Sequence, residues 1–153
     1  MSRETQLPKT EKRDRRTGKY ALLAETAAHV MSSDPVTVGP DLEVKAAIAR
    51  MGDAGVGAVA VAGPDRRPLG VLSLSDVALA CARFEASPPG KEAVVRVKDL
   101  MTPRVFSVRP EEPVEAVIRK LISRNVHRLF VVDREGILVG VISAIDLIRN
   151  LCP

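Results

Sequence analysis

The sequence predicts a mixed α/β (α+β) fold, two β-α-β-β-α units packed face to face as one body. Three observations lead there. Sliding the chain by 70 residues lays Met31–Val77 over Met101–Leu147 without a gap, and self-similarity at a fixed spacing marks repeated structural units. Within each copy a stretch of helical periodicity precedes two short β-branched runs. A unit of roughly 50 residues is also marginal alone, so two should bury their apolar faces against each other.

The identical pairs include Met31/Met101, Val38/Val108, Pro40/Pro110, Val44/Val114, Ala46/Ala116 and Ile48/Ile118. They continue through Val56/Val126, Val61/Val131, Gly70/Gly140, Val71/Val141, Ser73/Ser143 and Asp76/Asp146. The first strand of each unit is read at 35–38 and 105–108, closed by Gly39-Pro40 and Arg109-Pro110. Val114, Val117, Ile118, Leu121 and Ile122 then form an apolar stripe on a helix of about three turns, with Pro113 in its first turn. The matching helix of the first unit is padded with Ala46, Ala47 and Ala49, which predicts a thinner core there. Two hairpins follow: 58–62 against 69–73, and 129–132 against 138–143. Their turns lie in Gly63–Pro68 and Asp133–Gly136. A helix starting near Ser75 or Ala144 closes each unit. This gives a basic tail and helix over 1–26, units at 27–84 and 96–153, and a Pro/Gly linker at 85–95. Residues 20–30 (YALLAETAAHV) read as a helix from their strong helix formers.

Composition narrows the function classes. With 153 residues, 46% apolar and 27% charged, the chain is an ordinary globular one. It has no apolar run near the roughly 18 residues of a membrane span, and its first 20 residues are too polar for a secretory signal. No membrane partner and a cytoplasmic location are therefore expected. Cys81 and Cys152 form no Cys-x-x-Cys pair, which argues against a disulfide framework or thiolate metal site. Aromatics at 3% supply no stacking platform for single-stranded nucleic acid. Residues 1–20 hold seven basic and three acidic groups, so the net +4 of the chain belongs to that segment and the remainder is neutral. A nucleic-acid partner, if there is one, is expected at that arm. The stretch Gly52-x-x-Gly55-x-Gly57 lies after a helix and before a strand, the reverse of a dinucleotide fingerprint, and reads as a helix C-cap and turn. Two histidines, His29 and His127, with no nucleophile elbow or phosphate loop, predict a non-enzyme.

The paired ends GVLSLSD (70–76) and GVISAID (140–146), the entry VKDLMTPRVFSV (97–108) and the strand HRLFVVD (127–133) resemble the cystathionine-β-synthase (CBS) domain pair, or Bateman module. The resemblance spans residues 27–150. It implies that the two CBS repeats pack as a pseudo-two-fold disc with clefts between them that bind adenine nucleotides, with AMP, ADP or ATP as the expected ligand, S-adenosylmethionine as the alternative, and no cofactor required. It also implies a homodimer that regulates another protein. About 30 residues precede the first repeat and a few follow the second, so that regulation is expected in trans, on an effector the sequence does not name.

By the family pattern the hydroxyls of Ser73 and Ser143 meet phosphate, and the carboxylates of Asp76 and Asp146 grip the ribose diol. A strand that runs directly into a helix also offers free backbone N–H groups to an anion. The same residues have a second reading: Ser-x-x-Asp is close to a capping box, which needs no ligand. The resemblance puts the adenine beside Val36, Thr37 and Val38, and beside Phe106, Ser107 and Val108, with Leu72 and Ile142 lining the same pockets. All eight also suit a core. His127-Arg128 is the least symmetric feature, since Gly57-Ala58 stands opposite it. An Arg128 fork could pair with phosphate, which favours the second-repeat site. Two further functions compete with the nucleotide sensor: nucleic-acid binding through the basic tail, and a ligand-free dimerisation scaffold with both Ser/Asp pairs acting only as caps.

Overall fold

The computed structural model describes residues 21–84 and 93–152. The basic tail over 1–20 and most of the predicted linker, 85–92, lie outside them. The first half runs β1 (Ala21–Leu22), α1 (Ala27–Val30), β2 (Ser32–Ser33), β3 (Thr37–Val38), α2 (Val44–Ala54), β4 (Ala58–Ala62), β5 (Pro68–Ser73) and α3 (Leu74–Phe84). The second half runs α4 (Val97–Leu100), β6 (Ser107–Val108), α5 (Val114–Arg124), β7 (Arg128–Val132), β8 (Leu138–Ser143), α6 (Ala144–Arg149) and β9 (Leu151–Cys152).

Helical periodicity becomes a buried stripe in each repeat. α2 buries Val44, Ala47 and Met51, and α5 buries Val114, Val117 and Leu121. Both helices end in the left-handed conformation, at Gly55 (φ 65°) and Asn125 (φ 50°), whose N–H groups donate to carbonyls of the last turn. Ile122 departs from the predicted stripe and is 75% exposed, since it lies one step past the buried line. Pro113 stands at the N-cap, one residue before the first turn. Of the three padding alanines only Ala47 is buried, and Met51 fills the space beside it.

The predicted helix over 20–30 is corrected. Only Ala27–Val30 is helical, while β1 pairs antiparallel with β9 at the far end of the chain. Leu23 N–H also donates to the Asn150 carbonyl. Pairing of the two ends overrides local helix propensity, and Thr26 starts the short helix with a box closed by His29, whose Nδ1 accepts the Thr26 N–H at 3.3 Å.

The sheets are β3-β4-β5 and β2-β8-β7-β6. Their registers repeat after a 70-residue shift: Val59 faces Leu72 as Leu129 faces Ile142. β2, from the first repeat, pairs with β8 of the second through Ser32 opposite Val141. Thr102, leading into the second repeat, bridges Val71 of the first in the same way. The helices before these contacts cross as well. Ala27 N–H donates to Glu112 O and Ala28 N–H to Pro110 O, while Val97 N–H donates to Leu42 O and Lys98 N–H to Pro40 O. Ala27 and Val30 are thus buried with Val117, Leu129 and Ile142, and Val97 with Ala47, Met51 and Leu72. Each core is completed by a segment of the other repeat. A third cluster of Ala60, Phe130, Val132 and Leu138 joins the two.

Gly70 and Gly140 make the crossing possible. A Cβ at Gly70 would land on the Thr102 carbonyl, and one at Gly140 on the Met31 thioether, with Ser32 O at 3.1 Å. Gly70→Ala should therefore cost about 1–3 kcal/mol as an overpacking defect. Gly140→Ala should cost less, because the Met31 side chain can swing aside. Thermal melts should rank wild type above G140A and G140A above G70A, at roughly 2–4 °C per kcal/mol.

The crossing near Lys98 also carries charge. Its ammonium lies 2.8 Å from Asp41 Oδ1, and that hydrogen bond and charge hold the Asp41 carboxyl below its ordinary value of 3.8. A lowered pKa contributes stability above the ordinary value and loses it as pH falls through the folded-state value. Lys98→Ala should thus lower the Tm near neutral pH by a small, salt-sensitive amount, and the difference from wild type should vanish in acid.

Candidate functional site

Because β2 crosses to the second repeat, the chain following it forms one wall of a cleft between the repeats. Ser32, Ser33, Asp34, Pro35 and Val36 make that wall. The opposite wall is the β8–α6 junction, with Ser143, Ile145, Asp146 and Arg149, and Arg128 at the start of β7. The floor comes from both repeats, Ala58 and Ala60 on one side and Phe130 and Val141 on the other. The cleft holds about 330 Å³, within the size range of small-ligand pockets.

Asp146 is fixed within this cleft by its own helix. Its Oδ2 accepts the Ser143 N–H at 2.7 Å and the Ser143 hydroxyl at 2.6 Å, the reciprocal arrangement of a capping box. Its Oδ1 accepts the hydroxyl of Ser32, from the other repeat, at 3.2 Å. Arg128 sits at an exposed strand start opposite Ser143. Neither Arg128 nor Arg149 has an ion-pair or hydrogen-bond partner among the described residues. The cleft therefore presents two guanidiniums, a carboxylate oriented by a cap, and an apolar floor.

The predicted site residues divide. Val36, Arg128, Ser143 and Asp146 come together here. Thr37 and Val38 instead line a separate hollow of about 470 Å³, shared with Arg50 and Arg66 and lying on the Gly63–Pro68 turn. Ser73 and Asp76 form a second capping box, with Asp76 Oδ2 accepting the Ser73 N–H at 2.8 Å and its hydroxyl at 2.6 Å. They line neither hollow. Phe106 is half-buried, with the Arg124 guanidinium 5.5 Å from its ring centre. The Ser107 carbonyl accepts from Lys120 Nζ at 2.8 Å, and Val108 is core. His127 is exposed and outside the cleft lining. Leu72 and Ile142 are corrected: both are 0% exposed, because on each strand they alternate with the serine and point into the core.

Most of the lining escaped the sequence reading, including the polar and charged Ser32, Asp34 and Arg149 and the apolar Ile145. Arg149 had a signal, since it lies three residues after Asp146 and so on the same helix face. Ser32 and Asp34 had none, because only the strand crossing brings them to the second repeat. Among the described residues no group of three or more His, Cys, Asp or Glu is placed to hold a metal, and no helix is long and apolar enough to cross a membrane.

Comparison with known proteins agrees with the duplication. The CBS domain family matches twice, at residues 27–83 and 97–152. The chain is similar to an Arabidopsis thaliana protein named SNF1-related protein kinase regulatory subunit gamma-like PV42a, 31% identical over 60% of this chain and 26% of that protein. It is also similar to the structure of CBSX2 in complex with AMP, 27% identical with a TM-score of 0.69, covering 82% of this chain and 95% of the other. The cytosolic domain of the Mg²⁺ channel MgtE in complex with ATP is 26% identical with a TM-score of 0.67, covering 84% and 49%. The chain spans about a quarter to three fifths of the length of such curated relatives. With both repeats matched and their strands in the same register, the chain belongs to the CBS domain family and carries two such domains as a Bateman pair.

Proposed function

We propose that this CBS pair is a regulatory module that binds an adenine nucleotide of the AMP, ADP or ATP class in the cleft at Asp146 and signals its occupancy to a partner protein. The observation that carries the reading is the meeting of Arg128, Ser143, Asp146 and Val36 in one cleft of about 330 Å³. Two similar structures, CBSX2 in complex with AMP and the MgtE cytosolic domain in complex with ATP, support the ligand class. The kinase regulatory subunit in the name of the plant relative supports the regulatory role.

Each side chain has a task in this reading. The guanidinium of Arg128 pairs with phosphate oxygens, a strong contact because both partners are charged. Asp146 Oδ1 accepts from the ribose diol while Oδ2 stays in the cap. Val36 packs against the base. S-adenosylmethionine is the alternative occupant. Binding is the whole of the function, with no bond made or broken. The ligand shifts the packing of the repeats only by its differential affinity for the two arrangements.

Arg128 separates this function from folding, since its side chain is exposed and has no partner among the described residues. Arg128→Ala should leave the melting temperature of the ligand-free protein unchanged. In calorimetric titration it should weaken AMP binding by about tenfold to a hundredfold, the range of a hydrogen bond to a charged group. Its effect on adenosine, which lacks the phosphate, should be small. Equal AMP affinity in variant and wild type would sink the assignment.

The module is further proposed to form a homodimer. Leu79 (60% exposed) and Ile148 (61% exposed), on the helices that close the two repeats, are its candidate contacts. The double variant Leu79→Glu, Ile148→Glu should sediment as a monomer where the wild type sediments as a dimer, with circular dichroism unchanged.

A further inference from the structure

The duplication supplies an internal control for the cleft. Asp76 and Asp146 occupy equivalent positions, and each gives its Oδ2 to the serine three residues earlier with matching geometry, 2.8 and 2.6 Å against 2.7 and 2.6 Å. Their other oxygens differ. Asp146 Oδ1 is taken by the Ser32 hydroxyl at 3.2 Å. Asp76 Oδ1 has no partner among the described residues, although Thr102 stands where Ser32 does in the other repeat and also carries a hydroxyl. Among the described residues, then, one carboxylate keeps an oxygen without a partner, and the other has that oxygen engaged by a residue from across the cleft.

Resting on the nucleotide reading above, we propose that Ser32 is a specificity-determining residue that competes with the ligand's vicinal diol for Asp146 Oδ1. The argument is one of valence and reach. Oδ2 has both of its acceptor sites taken in the cap, by a backbone N–H and a hydroxyl, so the two hydroxyls of a diol must share Oδ1, where Ser32 takes one of the two sites. Ser32 already holds that oxygen, lines the same cleft and is exposed, so its hydroxyl can turn to water when displaced. The strand beneath stays in place, because β2 is held to β8 through its backbone and α1 is buried behind it. The exchange therefore involves one side chain. A ligand with two hydroxyls replaces the serine contact, whereas a ligand lacking the diol leaves it undisturbed. The hydroxyl thus lowers the affinity for ribonucleotides and sets the range of concentration to which the cleft responds.

The test is calorimetric titration of the full chain with AMP and with 2′,3′-dideoxy-AMP, for wild type, Ser32→Ala and Ser32→Thr. Removing the competing donor should tighten AMP binding by about three- to tenfold, the order of one long, solvent-exposed hydrogen bond. The same substitution should leave dideoxy-AMP binding unchanged, and Ser32→Thr, which keeps the hydroxyl, should bind AMP as the wild type does. Tightening that appears equally for both ligands would overturn the competition, because the diol would not be its source. So would AMP affinity in Ser32→Ala that is equal to or weaker than wild type. Loss of AMP binding in all three proteins would overturn the nucleotide reading and the competition together, whereas equal AMP binding in all three overturns the competition alone.

Discussion

The structure depends on the exchange of leading segments between its two repeats. α1 and β2 belong to the first repeat by sequence and to the second by packing, and α4 with Thr102 makes the reverse crossing. The close approach of those segments to β5 and β8 requires a residue without a Cβ, which Gly70 and Gly140 provide. Neither repeat is therefore a complete folding unit. Val97 cannot be buried until the chain has passed through the first repeat, and Ala27 waits for residues more than 80 positions later. Such non-local closure slows folding relative to local packing. It also ties the two halves into one cooperative body, because each crossing completes the core of the opposite repeat.

The cleft is a product of the same exchange. If β2 stayed with its own repeat, the wall from Ser32 to Val36 would not face Asp146. The two readings of the Ser-x-x-Asp motif, cap and ligand contact, then cease to be alternatives. One carboxylate oxygen serves the helix start and the other lies in the cleft. A group shared in this way links occupancy to stability: a ligand that binds the folded state alone adds to its stability in proportion to the logarithm of its concentration above Kd.

Much of the fold was legible in the sequence, for physical reasons that also mark the limit. The hairpins and the two long helices were readable because hydrophobic period and turn chemistry are local signals, and the 70-residue identity confirmed each by its twin. The left-handed end at Gly55 was legible from its residue type, and the structure repeats it in the second copy at Asn125. β1 was misread as helix because Ala21 and Leu22 carry helix propensity, while their partner strand lies at the other terminus. The candidate site was half legible. Ser143, Asp146 and Arg128 belong to one continuous stretch, whereas the wall opposite them depends on a crossing for which no local pattern codes. Leu72 and Ile142 were placed by adjacency to the serines, but strand alternation turns neighbours to opposite faces.

Comparing the repeats separates what the fold needs from what a ligand would read. The positions that stay identical have structural tasks: Gly70 and Gly140 clear the crossing, Ser73/Asp76 and Ser143/Asp146 cap helices, and Val61 and Val131 are 0% exposed in the two cores. Several of the positions that line the cleft at Asp146 have drifted from their twins. Arg128 stands against Ala58, Arg149 against Leu79, Asp34 against Arg104 and Val36 against Phe106. Shared backbone geometry would hold a similar ligand in two equivalent places only if those side chains matched. They do not, and the changes move charge as well as volume, so the pseudo-symmetry of the fold does not extend to recognition. A duplicated scaffold can thus hold its architecture through a few glycines, caps and buried valines while each cleft takes on its own chemistry.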